Sequence, residues 1–346
     1  MKKEYLWAFI RKEDLMSRLS PGKLRGLQQV ANAKGILTVC AIDHRESLQR
    51  ALNEKNPEAV SYQQMVDFKL DLVGVVAPFA SAVLLDPIYG AGQAIASGIL
   101  PGHTGLLISA EKTGYSGDST ARITELLPDW SVRKIKKLGA SAVKLLLYFR
   151  VDLEEIASKQ LDLVGKVARQ CIEEDIPLLV ESVSYPTAEE KDNPGKFFKK
   201  KPELVIEAAS KLTALPIDIL KSEFPADIDY EKDKAKLKSY CRELTEASRL
   251  PWVLLSAGTD FERFRKEVEI ACKAGASGFM AGRALWQEAT HISSRGERLD
   301  FFKSQTVSRL KDLTQIADKW ATPWYVKMGS KDGRFPDLPE GWYRSY

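Results

Sequence analysis

Two lysines and several carboxylates stand inside short apolar runs, where charge is expensive. Lys144 interrupts AVKLLLY (142–148), Glu181 interrupts PLLVESV (177–183), and Lys221 and Glu223 interrupt IDILKSE (217–223). A further run, ILTVCAID (36–43), ends in Asp43 and is followed by His44 and Arg45. A strand buried on both faces carries few ionisable groups unless they point into a common cavity or pair with a neighbour. Lys221 and Glu223 are two apart, so in an extended strand they project to one side, while Leu220 and Ser222 face the other. A base and an acid on one inward face, with a second lysine nearby, suit a site that adds an amine to a carbonyl and moves protons.

A lysine that attacks a carbonyl must be neutral, and an ordinary ammonium is neutral in only about one molecule in 2,500 at pH 7. Burial and a second ammonium both favour the neutral amine, and Lys144 is placed to supply that second charge. Carboxylates act the other way, so Glu181 and Glu223 are read as proton carriers or as partners for Lys144. Metal chemistry has little to work with. The chain has three histidines, His44, His103 and His291, with no HxH or HExxH spacing, which disfavours a zinc site. A magnesium site built from carboxylates stays open on this count, and no metal or organic cofactor is expected.

Two segments suit an anion. Ser256-Ala257-Gly258-Thr259 follows one apolar run, and Ala281-Gly282-Arg283 follows the next, a glycine turn opening an expected helix with a basic residue at its start. Backbone N–H groups at such turns bind phosphate. Both segments are therefore candidates for a phosphate site.

The elements that must carry these residues recur regularly. Eight apolar runs, each too short for a helix, span 36–43, 82–86, 105–109, 142–148, 177–183, 217–223, 252–256 and 278–281. Amphipathic stretches separate them, clearest at 58–76, 152–174, 202–212, 231–247 and 261–274. Continuously apolar strands alternating with helices indicate a parallel sheet covered on both faces. Eight such units match a closed (β/α)8 TIM barrel, an α/β fold, better than an open doubly wound sheet. Active sites of this barrel lie at the C-terminal strand ends, and its phosphate sites lie in the loops after strands seven and eight. Both expectations agree with the residues singled out above.

The chain reads as a single domain over 1–346, with the barrel core at about 35–320. Residues 19–34 form an expected helix before the first strand, placed to plug the barrel bottom. The segment 321–346, rich in aromatic residues among Pro and Gly, lacks helix or strand periodicity and is expected to pack over the barrel as an irregular tail. Residues 185–201 (YPTAEEKDNPGKFFKKK) form the longest polar insertion. They read either as a lid that attracts a second phosphate or as a solvated charged loop.

Composition excludes several classes. Fifty-one basic and 47 acidic residues give a net charge of +4, spread along the chain, so no nucleic-acid partner is implied. Cys40, Cys171, Cys241 and Cys272 are far apart and show no CxxC spacing, which suits reduced thiols in a cytoplasm. No apolar stretch is long enough for a membrane span, and the N-terminal segment carries charges throughout, so a cytosolic, unprocessed protein is expected. The oligomeric state stays open, a homo-oligomer included.

With these residues in view, the sequence resembles the tagatose 1,6-bisphosphate aldolase family, related to deoxyribose-phosphate aldolases and including sulfofructose-phosphate aldolases. The resemblance runs from about residue 30 to 290. It rests on AIDHRESL, SAVKLLLYF, LLVESVSYP, DILKSEFP, LPWVLLSAGTD and GASGFMAGRALW, in family order. It implies a metal-independent lyase that cleaves a phosphorylated ketose into two three-carbon fragments through a Schiff base, placed by the motif at Lys221. It also implies Glu181 as the proton-transfer carboxylate, Lys144 as a supporting cation, and Asp43 and Arg45 as substrate contacts. Ser256, Gly258, Gly282 and Arg283 would hold one phosphate, and a phosphorylated sugar is the implied small-molecule partner.

The chain departs from the family at His44, where glutamine is frequent, and in its aromatic tail. Both are expected to bear on the substrate end that distinguishes one sugar from another, leaving tagatose 1,6-bisphosphate and sulfofructose 1-phosphate as alternatives. Two rival functions remain on the same barrel: a phosphosugar isomerase or epimerase that needs no imine, and a non-catalytic phosphosugar sensor.

Overall fold

The computed structural model describes residues 19–344 and 346. Each apolar run becomes a strand: β1 Leu37–Ile42, β2 Ala82–Leu85, β3 Gly105–Ser109, β4 Ala142–Tyr148, β5 Leu178–Val183, β6 Ile219–Ser222, β7 Trp252–Leu255 and β8 Gly278–Ala281. All neighbours pair in parallel, and β8 pairs with β1, so the sheet closes into a barrel in sequence order. The expected (β/α)8 TIM barrel is the observed fold, and the open sheet is ruled out by the β1–β8 ladder. Only Leu146, Tyr148 and Val183 among the strand residues are less than fully buried, and all three lie towards C-terminal strand ends.

Helix boundaries follow caps rather than periodicity. The helix expected from residue 58 is Tyr62–Val76, because Ser61 and Gln64 close a capping box, while Pro57–Ala59 is a separate 3-10 turn. The helix expected from 231 is Lys234–Ala247, started by Asp233, whose carboxylate accepts from the N–H of Ala235 and Lys236. The other clear stretches are the helices Glu154–Glu173 and Phe261–Lys273. The polar insertion at 185–201 is largely helical. It contains Ala188–Asp192 and the opening of Pro194–Leu212, so the helix expected from Pro202 begins two turns earlier and keeps that proline inside it.

The helix Pro21–Val30 closes the N-terminal mouth of the barrel. A Cβ on Gly26 would lie 2.3 Å from the Ser141 carbonyl oxygen and 2.6 Å from Pro177 Cδ, so this helix–barrel approach requires glycine. Lys23 Nζ is 2.8 Å from Asp218 Oδ2, a buried ion pair. Ser141, Pro177 and Asp218 immediately precede β4, β5 and β6, which fixes the helix across the strand starts. The tail packs on this same end. The N–H of Thr322 donates to the Ala276 carbonyl and that of Trp324 to the Gly35 carbonyl, each at 2.9 Å. Trp324 and Met328 are buried. The tail thus covers the face opposite the strand C-termini, and its expected contact with the substrate end is not found. Asp175 gathers both ends of the described chain, accepting from Ser20 Oγ, Gly22 N–H and Tyr346 Oη. Among the described residues no helix is long and apolar enough to cross a membrane.

Candidate active site

Two large concavities lie on the barrel. The larger, about 1050 Å³, is an external groove bordered by helix Glu154–Glu173 and residues 211–218, and it is mainly apolar. The smaller, about 390 Å³, opens at the C-terminal strand ends. Asp43, Arg45, Lys144, Glu181, Lys221, Ser256, Gly258, Gly282 and Arg283 all line it. Chemistry follows the ionisable groups, so the smaller cavity is the candidate site.

The strand register sets the central geometry. Glu181 on β5 is directly opposite Lys221 on β6, and Lys144 lies on β4, next to β5. Glu181 Oε1 is 2.8 Å from Lys221 Nζ, and Oε2 is 2.9 Å from Lys144 Nζ. Lys144 Nζ also donates to Asp43 Oδ2 at 2.8 Å and Glu111 Oε1 at 2.7 Å. Three carboxylates thus surround one ammonium. Burial disfavours that ammonium, but Asp43, Glu111 and Glu181 outweigh it and hold Lys144 well above its ordinary value. The same attractions overcome burial at the carboxylates. Lys144 and His44 hold Asp43 well below the usual carboxylate range, and Lys144 and Lys221 lower Glu181.

Two expectations are corrected here. Lys144 was expected to crowd Lys221 with a second positive charge; instead its charge is taken up by three carboxylates. Glu223 was grouped with Glu181 as a proton carrier or partner of Lys144. It reaches the cavity, but its Oε2 accepts from Ser184 N–H and Oγ, both at 2.6 Å, and its Oε1 is 3.5 Å from Lys201 Nζ. Glu223 therefore fastens the start of the 185–201 segment.

Glu111 is the residue that sequence reasoning missed. It lies two residues past β3, where an isolated bridge to Leu126 begins a hairpin-like loop rather than a strand. No periodicity marks it. Besides Lys144, it accepts from Leu146 N–H at 3.1 Å, and its backbone carbonyl accepts from Arg45 Nη2 at 2.8 Å.

The expected anion site is assembled from β7 and β8. Ser256 Oγ accepts from Gly282 N–H at 3.3 Å, and the Ser256 carbonyl accepts from Thr259 N–H at 2.9 Å. Gly258 has φ +77°, and a Cβ there would lie 2.6 Å from Arg283 Cζ, so the guanidinium lies flat against the glycine. A Cβ on Gly282 would meet His44 Cε1 at 2.8 Å. The helix expected after Gly282 is a single turn, Arg283–Trp286. The local positive charge is therefore the guanidinium itself, not a helix terminus. Arg283 Nε, and Arg45 Nε and Nη1, are buried without hydrogen-bond partners. Unsatisfied buried donors of a guanidinium are costly and fit an incoming anion. His44 stacks edge-on to Trp286 at 5.1 Å, and burial, with Arg283, Lys69 and Lys221 adding to it, lowers the imidazole to about 3 against the pull of Asp43.

Among the described residues no group of three or more His, Cys, Asp or Glu is arranged to hold a metal ion. The carboxylates that converge do so on the Lys144 ammonium, which fills the position a cation would take.

The profile of the DeoC/LacD family aldolases matches residues 37–288, from the first residue of β1 to beyond β8. The chain belongs to this aldolase family. DeoC/LacD relatives include the tagatose 1,6-diphosphate aldolase of Streptococcus agalactiae serotype V, 33% identical over 325 residues, covering 88% of this chain and 98% of the relative. The tagatose 1,6-diphosphate aldolase of Staphylococcus haemolyticus is 31% identical, with 89% and 99% covered. In fold, the chain is similar to the fructose-bisphosphate aldolase of Plasmodium falciparum, with TM-score 0.67, 14% identity and coverage of 92% and 99%. It is also similar to an archaeal fructose 1,6-bisphosphate aldolase, with TM-score 0.55, 20% identity and coverage of 83% and 99%. As a DeoC/LacD aldolase, the protein is a lyase on a (β/α)8 barrel.

Proposed function

We propose that this aldolase cleaves a ketose 1,6-bisphosphate, tagatose 1,6-bisphosphate first, into dihydroxyacetone phosphate and glyceraldehyde 3-phosphate through a Schiff base on Lys221. The observation that carries the reading is the placement of Lys221 Nζ in the cavity, 2.8 Å from the Glu181 carboxylate, its one ion pair among the described residues. A nucleophilic amine needs a proton acceptor within hydrogen-bond reach. Lys144, engaged by three carboxylates, is held charged and is the supporting cation; Lys221 is left as the nucleophile. The curated relatives' common name, tagatose 1,6-diphosphate aldolase, supports the sugar.

In this mechanism Lys221 gives up its ammonium proton to Glu181 and adds to the C2 ketone. The carbinolamine loses its hydroxyl as water, using the proton that Glu181 returns, and leaves an iminium ion. Removal of the C4 hydroxyl proton by Glu181, directly or through water, breaks the C3–C4 bond. The electron pair passes into the iminium to give an enamine, and glyceraldehyde 3-phosphate departs. Protonation of the enamine at C3 and hydrolysis of the imine release dihydroxyacetone phosphate and restore Lys221. Asp43 holds Lys144 in place, and Arg45 and Arg283 offer unpaired guanidinium donors to the phosphates, with Ser256, Gly258 and Gly282 lining the Arg283 end. The protein acts in the cytoplasm on this reading, in keeping with four free, buried cysteines.

The deciding experiment is sodium borohydride reduction in the presence of dihydroxyacetone phosphate, followed by mass spectrometry and peptide mapping. A stable adduct on Lys221 is expected. Absence of an adduct while the ligand binds would replace this reading with an isomerase or a sensor.

A further inference from the structure

Pairing between β1 and β2 ends at Ile42 and Leu85, one residue before Asp43. Ile42 belongs to the last pair and His44 lies beyond it, where the β1–β2 ladder offers no partner. Lys69, on helix Tyr62–Val76, reaches the carbonyls of both. Its Nζ donates to the carbonyls of Ile42 at 2.5 Å and His44 at 2.7 Å, and lies 2.6 Å from Asp86 Oδ2. Both side chains of the pair are 0% exposed. Asp86 is itself anchored just past β2, where its Oδ1 accepts from Ile88 N–H at 2.9 Å and Tyr89 N–H at 2.8 Å.

Ile42 and His44 flank Asp43, and backbone carbonyls two residues apart in an extended chain point the same way. One ammonium therefore holds the backbone on both sides of Asp43. A buried ion pair is not needed for stability at such a place, since apolar residues of similar size commonly serve as well. Its location behind the strand end that carries Asp43 is a better account. We infer that Lys69 is a positioning residue for the aldolase site. Through the carbonyls of Ile42 and His44 it sets Asp43 against Lys144, and through Lys144 it sets Glu181 against Lys221.

This inference rests on the Schiff-base reading and makes a separable demand on the kinetics. Asp43 is faced by Lys144 from β4, by Lys221 from β6 and by His44 on its own segment; behind Lys144 stand Glu111 and Glu181. Lys69, itself paired with Asp86 and near Arg45, and Arg283 also act on Asp43. If Asp43 loses its placement, Glu181 loses a neighbouring negative charge that raises it, and the acid limb of the rate profile set by Glu181 moves to lower pH.

The test is tagatose 1,6-bisphosphate cleavage by the Lys69→Met/Asp86→Asn double variant, which removes both charges together. The variant is expected to melt cooperatively and to lose kcat on the order of 10- to 100-fold, the scale of a small misplacement of catalytic groups. KM is expected to stay within about threefold, as for loss of a transition-state interaction. The acid limb shifts to lower pH. A folded double variant with wild-type kcat and an unmoved acid limb overturns the inference. If the double variant does not melt cooperatively, Lys69→Arg decides. It keeps a cation beside Asp86 but replaces the single nitrogen shared by the Ile42 and His44 carbonyls, so a lowered kcat with a displaced acid limb supports the inference, and wild-type kcat with an unmoved limb overturns it. Borohydride trapping on the wild-type protein, run alongside, separates the two failures: no wild-type adduct removes the Schiff-base reading, whereas an adduct with insensitive variants removes only the role of Lys69.

Discussion

Glu181 touches both lysines of the cavity, with Oε1 2.8 Å from Lys221 Nζ and Oε2 2.9 Å from Lys144 Nζ. One carboxylate therefore shares a proton path with the nucleophile and an electrostatic bond with the cation that stays charged. Glu181→Gln keeps the shape and removes the proton acceptor. It is expected to lower kcat by about 10²- to 10⁴-fold, the usual worth of a general acid–base group. Borohydride trapping should then give the Lys221 adduct more slowly, read as the rate of mass gain; an unchanged rate would move the proton acceptor elsewhere.

Lys221→Met removes the amine and retains most of the buried stem. Turnover should fall by on the order of 10³-fold or more, as for loss of a covalent nucleophile. No adduct should form, while the thermal midpoint stays near that of the wild type. Cleavage at the wild-type rate would refute the Schiff-base assignment.

Lys144→Met leaves Asp43, Glu111 and Glu181 facing one another without their cation. Removing one partner from a buried charge cluster costs about 3 to 5 kcal/mol, so a lowered denaturant midpoint at neutral pH is expected. The sign of its pH dependence follows from the carboxylates. Those held below their ordinary values stabilise the fold fully above about pH 4 and lose that contribution as pH falls through their folded values. In the variant they take up protons more readily, so mild acidification should recover part of the lost stability. A midpoint insensitive to Lys144→Met would mean that the cluster is not ionised in the folded state.

His44 offers a second pH test with the opposite chemistry. The folded imidazole is lowered to about 3, whereas the unfolded one titrates near 6.5. Between these values only the unfolded chain takes the proton, so this group lowers stability as pH falls from about 6.5. His44→Gln should flatten that decline. The difference between the two proteins is the readout, because Glu267, pushed up to about 7 by burial, acts with the opposite sign. Parallel curves would show that His44 titrates alike in both states.

Trp324 tests the tail. It is buried against the N-terminal end of the barrel and shares no lining with the cavity. Trp324→Ala is expected to cost about 3 to 5 kcal/mol of stability while leaving KM for tagatose 1,6-bisphosphate unchanged. A raised KM would place the tail in substrate selection after all.

The barrel was legible because strands buried on both faces must be apolar throughout, and eight such runs alternate with amphipathic helices. The same reasoning exposed Lys144, Glu181 and Lys221, since each is an ionisable residue where the pattern forbids one. It failed where that contrast is missing. Glu111 follows the end of β3, in a loop where a carboxylate is unremarkable, and it is the register of β3 against β4, Ser109 opposite Lys144, that brings it to Lys144. Lys69 lies four residues after Met65 and three before Leu72, on the apolar face of YQQMVDFKLDLVGVV, so the helical period carried a signal that a reading centred on the strands passed over. Glu223 was correctly placed on the cavity side by its spacing from Lys221, but its partner depended on how residues 184 and 201 fold back. Spacing gives the direction of a side chain, while its partner is decided by loops that have no period.

The meeting of Ser20, Gly22 and Tyr346 at Asp175 also bears on protein engineering. A linker joining residue 346 to residue 20 would have only a short distance to bridge and would run over the barrel end remote from the catalytic cavity. Circularly permuted chains with new ends opened in exposed loops on that same end should retain catalysis. A sensor or scaffold domain attached after Tyr346 would likewise leave substrate entry unobstructed.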